Sequence, residues 1–108
     1  MSRYKLIKRN DIYKLVDANC QSDLRYSVAQ SLLYDFYCYG LHADTIQPII
    51  DQLRDDLYFY LIEEVYKNNS VLDWIAEDRL ADVTTIKRNK KRLTLIIYTL
   101  WEEVKRNE

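Results

Sequence analysis

Apolar side chains recur three and four positions apart along most of this chain, which is the spacing of an α-helix with one buried face. After Ser22, the residues Leu24, Val28, Leu32, Phe36 and Tyr39 keep that spacing until Gly40. The pattern predicts a helix over about 23–39, with Ser22 as N-cap and Gly40 as its left-handed stop. Ala29, Leu33, Tyr26 and Tyr37 widen the apolar arc, which suits a central helix with more than one neighbour. A second long stripe of Ile46, Ile49, Ile50, Leu53, Leu57, Tyr60 and Leu61 predicts a continuous helix capped by Asp44, with Pro48 in its first turn. Asn68, Asn69 and Ser70 break the phase, and Ser70 with Asp73 has the spacing of a capping box for a short helix to about Leu80. Asp82 to Thr85 supply the next cap. From Ile86 onward, Leu93, Ile97, Leu100 and Val104 alternate by four and three, with Ile96 and Trp101 at the edges, as in a bundle or coiled-coil seam. The start of the chain is less regular. Tyr4, Leu6, Ile12, Leu15 and Val16 fit a basic arm over residues 1–10 followed by a short helix from Asp11.

Composition narrows this to one class. The chain has 108 residues with a single Gly and a single Pro, so tight turns are scarce and sheet is unfavoured. The expectation is an all-α fold: one helical domain over 1–108, a compact bundle of four to five helices with a long C-terminal helix. Hydrophobic residues at 48% exceed what a disordered chain carries. Cys20 and Cys38 lack metal or redox spacing and are too few for a secreted disulfide scaffold. The longest apolar stretches, 57–62 and 95–100, fall far short of the roughly 20 residues that span a bilayer. No membrane association and a cytoplasmic location are therefore expected.

Charge adds the sharpest feature. The formal net charge is only −1, yet residues 1–30, 31–85 and 86–108 carry +3, −8 and +4. Five of the six residues from Lys87 to Arg92 are basic. Cations are unfavourable near a helix N-terminus, where the dipole is positive, so a function other than helix stability is implied. With Ile86 at the origin and about 100° per residue, Lys87, Arg88, Lys91 and Arg92 cover an arc of roughly 100–240° opposite the apolar stripe. Asn89 and Lys90 fall on the stripe itself, so this end of the helix either projects past the core or meets acidic groups. Asp51 and Asp55 repel each other across one turn of the acidic middle segment, which invites a cationic partner inside or outside the protein. Ten tyrosines are present, too many for one narrow stripe. Tyr34, Tyr37 and Tyr58, with Asp51 and Asp55, form a candidate partner interface. The competing reading is a Tyr-rich core.

The residues ahead of the basic run resemble the helix-turn-helix units of bacterial regulators. Those units pair a small residue after an aliphatic one with an Ile or Val ten positions later, often preceded by Thr. Ile75, Ala76, Thr85 and Ile86 stand at that spacing. The resemblance covers residues 71–93 and departs at the turn, where Leu80 or Ala81 replaces the usual Gly. It implies that Thr84, Lys87, Arg88 and Lys91 face a DNA groove, with Arg92 extending the anion-binding arc.

Catalytic chemistry finds little support. His42 is the only histidine and lacks neighbours suited to a triad or metal site, and one glycine cannot make a phosphate loop. Asp56 and Glu63, two turns apart on the predicted acidic helix, fit solvated charge better than a general acid and base. No catalytic residue, metal, cofactor or small-molecule substrate is assigned. The leading expectation is a non-enzymatic interaction module of inhibitor, immunity or adaptor type, binding a protein partner or a second copy through Tyr-rich and charged faces. The alternative is a DNA-binding regulator using residues 71–93.

Overall fold

The computed structural model describes residues 23–107, and helix is the only regular secondary structure among them. The predicted basic arm, the helix from Asp11 and the Ser22 cap lie outside the described residues. Helix α1 spans Asp23–Tyr39, α2 Ala43–Leu53, α3 Tyr60–Ile62 continuing as a π-helical turn over Glu63–Lys67, α4 Leu72–Asp78, and α5 Val83–Arg106. The all-α class and the long C-terminal helix stand as expected. Helix α5 packs against each of the other four, and α1 also packs on the π-turn.

In α1 the buried face is Ala29, Leu32, Leu33 and Phe36, one helix position away from part of the expected stripe. Val28 and Tyr39 point outward, 45% and 78% exposed. The small Ala29 is fully buried, which allows close approach to a neighbour that a larger residue would hold off. Gly40, at φ 69°, ends the helix and donates its N–H to the Phe36 carbonyl at 2.9 Å. His42 then takes a second left-handed position at φ 60° and serves as N-cap of α2, displacing the expected cap Asp44 into the first turn. There its carboxylate still meets the positive end of the helix dipole. Pro48 is the sixth residue of α2, beyond the first turn where it was expected. It supplies no N–H for the carbonyl of Asp44, an exposed residue whose carbonyl can turn to water.

The expected continuous helix to Leu61 breaks after Leu53. Asp56 is the reason: its carboxylate accepts the Tyr58 N–H at 3.0 Å, a local bond that competes with helical pairing. The detour throws Leu57 outward, 78% exposed, and buries Phe59 instead. The π-turn that follows closes with Asn68 N–H on the Glu63 carbonyl, and it brings both Leu61–Ile62 and Val65–Tyr66 into the core. Ser70 does not open a capping box. Its hydroxyl donates to Glu64 Oε2 at 2.9 Å, and the extended Val71 precedes α4.

Helix α5 is not a seam. Leu93 to Ile97, Thr99 and Leu100 are all buried, so its middle is enclosed on every side, while Val104 is half-buried. The only buried polar residues among those described are Lys90, Thr94 and Thr99, all on this helix.

Candidate nucleic-acid interface

Helix α4, the turn over residues 79–82 and the start of α5 make one corner of the molecule. Ile75, Ala76 and Ile86 are 1%, 8% and 0% exposed and belong to the shared core, so the positions singled out by spacing do join the two helices. Leu80 adopts φ 53°, the left-handed conformation that Gly normally supplies at such a turn. The Ala81 N–H reaches the Ala76 carbonyl at 2.9 Å and closes α4 across it. Asp82 caps α5 in extended conformation, and its carboxylate accepts the Thr85 hydroxyl at 3.2 Å.

This turn directs Thr84, Lys87 and Arg88 to solvent. Lys91 is half-buried, its ammonium 5.3 Å from the centre of the Tyr26 ring. Arg92 is drawn inward: Nε donates to Asn89 Oδ1 at 3.1 Å, and a terminal nitrogen lies 3.5 Å from Asp56 Oδ1, whose side chain is only 8% exposed. The acidic segment thus claims Arg92, and the outward cationic strip reduces to Lys87, Arg88 and the edge of Lys91. Lys90 does lie on the apolar stripe, but no acid receives it among the described residues. Its Nζ donates to Gln30 Oε1 at 2.7 Å and sits over the rings of Tyr26 and Tyr66, 5.6 and 5.4 Å from their centres. Burial holds its pKa below the ordinary lysine value. The Tyr66 hydroxyl shares a 2.8 Å hydrogen bond with Thr94, and burial pushes this phenol far above its usual range.

The candidate partner-interface residues fall into more than one group: Tyr37 and Asp51 meet around Arg54, while Tyr34 lies elsewhere. Tyr34 stands edge-on to Tyr66, ring centres 4.8 Å apart, in the Lys90 cluster. Tyr37 borders a cavity of about 240 Å³ with Arg54 and Glu63, its hydroxyl buried with no hydrogen-bond partner among the described residues and its pKa raised by burial. Asp51 is engaged by Arg54 and Gln47, both at 3.0 Å, and the Arg54 hydrogen bond keeps its carboxyl below the usual carboxylate range. Tyr58 is half-buried in the 54–59 turn, and Asp55 is exposed at its start. Asp56 and Glu63 share no helix face, since the chain breaks between them and Glu63 lies 3.8 and 4.0 Å from Arg54 and Lys67. His42 is exposed, with its ring edge-on to Trp101 at 5.3 Å.

Sequence reasoning missed the environment of Lys90, although its place on the apolar stripe was the available signal. It also missed Val71 and Trp74, which are 66% and 56% exposed. Trp74, one position before Ile75 and two before Ala76, falls about 100° and 200° from them on the helical wheel, a signal that was there to read. Val71 is exposed because it is the extended N-cap ahead of α4, which its helical spacing to Ile75 does not reveal. No helix of the described residues is long and apolar enough to cross a membrane, and none of their His, Cys, Asp and Glu side chains form a group of three or more able to hold a metal ion. Comparison with protein families, curated proteins and solved structures yields no match to this chain.

Proposed function

We propose that this protein is a non-enzymatic binding module that takes duplex DNA at the α4–α5 corner, with the first turns of α5 entering the major groove. The observation that carries this is the turn at Leu80: it adopts the left-handed bend of a helix-turn-helix unit, with Ile75, Ala76 and Ile86 buried beneath it. A recognition helix must present its outer face to DNA while its inner face is held by the preceding helix. Thr84, Lys87 and Arg88 occupy that outer face. The fork of Arg88 suits a guanine edge or a phosphate, Lys87 and Lys91 supply phosphate charge, and the Thr84 hydroxyl supplies a neutral phosphate contact. Arg92 has no place in this set, because Asp56 and Asn89 hold it. A protein partner for the tyrosine faces has weaker support, because Tyr34 and Tyr37 lie in separate clusters and Tyr58 is half-buried.

Fluorescence anisotropy with a labelled mixed-sequence duplex tests the reading. Three cations neutralising phosphates give a slope of about −2.7 in log K against log salt, at about −0.9 each. Affinity then falls about 40-fold between roughly 50 and 200 mM salt. Lys87→Glu with Arg88→Glu should abolish binding while leaving the helical circular dichroism intact. No binding at the lower salt, or undiminished binding by the double variant, sinks the proposal.

A further inference from the structure

The same corner carries a second face of opposite sign. Between α4 and the 79–82 turn runs an open groove of about 610 Å³ with apolar walls that include Val71, Trp74 and Val83. Three carboxylates, Asp73, Glu77 and Asp82, also line it, and among the described residues no lysine or arginine does. The nearby cation is turned away: the Arg79 guanidinium lies over the Tyr60 ring, 3.9 Å from its centre. The groove is therefore acidic, and its main apolar wall is a tryptophan that is 56% exposed. An indole half in water is retained at a loss of burial that a smaller or polar residue would avoid, and Trp is the side chain most often found as an energetic anchor of interfaces.

We propose that this groove docks a basic peptide segment of a protein partner, with an apolar side chain seated on Trp74 and lysines or arginines meeting Asp73, Glu77 and Asp82. Charge complementarity selects the occupant. Three carboxylates around an apolar floor repel nucleic acid and anionic lipid alike, and they favour a cationic segment that also carries an apolar anchor. Lys87 follows the groove wall Val83 by one turn of α5 and Arg88 lies further round the outer arc, so DNA and the peptide meet the corner side by side. The module thereby joins a nucleic acid to a protein.

A random-peptide display selection on the full chain, followed by anisotropy with the selected peptides after labelling, provides the test. The expected consensus combines two or more Lys or Arg with Trp, Phe or Leu, and binding weakens as salt is raised. Trp74→Ala should reduce affinity tenfold or more. Asp73→Lys with Glu77→Lys, at exposed positions that do not support the core, should do the same even if the Trp74 variant is poorly folded. Lys87→Glu with Arg88→Glu should not weaken peptide binding, and the added negative charge should if anything strengthen it, which separates failure of this site from failure of the DNA reading. Selection of no peptides, an acidic consensus, or equal binding by the carboxylate variant overturns the proposal. So does a dimer in sedimentation that Trp74→Ala dissociates, which would give the groove to a second copy.

Discussion

Replacing Lys90 with Met should leave the protein as stable as before, or stabilise it by up to about 2 kcal/mol. The lysine side chain is 8% exposed, and among the described residues its ammonium has one hydrogen-bond acceptor, Gln30 Oε1 at 2.7 Å, and the faces of Tyr26 and Tyr66. A hydrogen bond to a charged group contributes about 1.5–3 kcal/mol, and each ring face about 0.5–2. Desolvating an ammonium costs several kcal/mol, so the sum lies near zero or below it. Met keeps the unbranched stem and fills the same space without the charge. Gln30 Oε1 then retains the Tyr66 hydroxyl at 3.4 Å. Lys90→Ala, which empties the space between the rings, should cost about 2–3 kcal/mol. Thermal unfolding followed by circular dichroism separates these outcomes, with 1 kcal/mol shifting Tm by about 4 °C for a chain of this size. The pH dependence gives an independent reading of the same site. Because burial lowers the folded-state pKa of Lys90, the unfolded chain binds more protons between that pKa and 10.5. Wild-type stability therefore gains up to about 1.4 kcal/mol per pH unit from this group as pH rises through that window, and the Met variant does not. If Lys90→Met were as damaging as Lys90→Ala, the charge itself would be organising the aromatic cluster, and the reasoning would be wrong.

Leu80→Gly should stabilise the protein by about 0.5–1 kcal/mol, because Leu80 is 95% exposed and held at φ 53°, where a side chain costs about 1–2 kcal/mol and burial contributes almost nothing. A drop in Tm would mean that the leucine makes an intramolecular contact. Asp56→Ala removes the acceptor of the Tyr58 N–H and the partner of Arg92, and should cost about 1–2 kcal/mol in urea unfolding. A double-mutant cycle with Arg92→Met should return a coupling of at least 0.5 kcal/mol, and strict additivity would deny the Arg92–Asp56 pairing. Above about pH 10, stability should fall by up to about 2.7 kcal/mol per pH unit, since Tyr37 and Tyr66 keep their protons in the fold and lose them in the unfolded chain. Thermal melts of the Lys90→Met variant between roughly pH 8 and 11 measure this without the opposing lysine contribution, and a flat profile there would contradict the burial of both phenols.

The parts of the fold that were legible from sequence are those written in a single helix's own periodicity. Gly40 as a stop, the start of α5 at Asp82 and the joining of Ile75, Ala76 and Ile86 all belong to that kind. Leu57 misled because it keeps the helical phase of Leu53 while the chain has left the helix. The cause, a bond from the Asp56 side chain to the backbone two residues on, leaves no mark on the hydrophobic pattern. The π-turn was hidden for the same reason, since an added residue in a helix looks like a change of phase. In the candidate site, the arc of Lys87 and Arg88 could be read from one helix alone. The withdrawal of Arg92 towards Asp56 and the seating of Lys90 against Gln30 depend on contacts 36 and 60 residues apart, which periodicity does not encode.

The enclosure of α5 also sets an order of events during synthesis. Helix α5 is the surface on which α1, α2, α3 and α4 all pack, and it is made after all four. On the ribosome, the earlier helices therefore emerge before their main packing partner among the described residues, with α1 against the π-turn as the chief contact they can make among themselves. Collapse that engages the four partners together thus waits for α5. A premature stop codon before Leu93 would yield no smaller domain, only a set of amphipathic helices without a common floor.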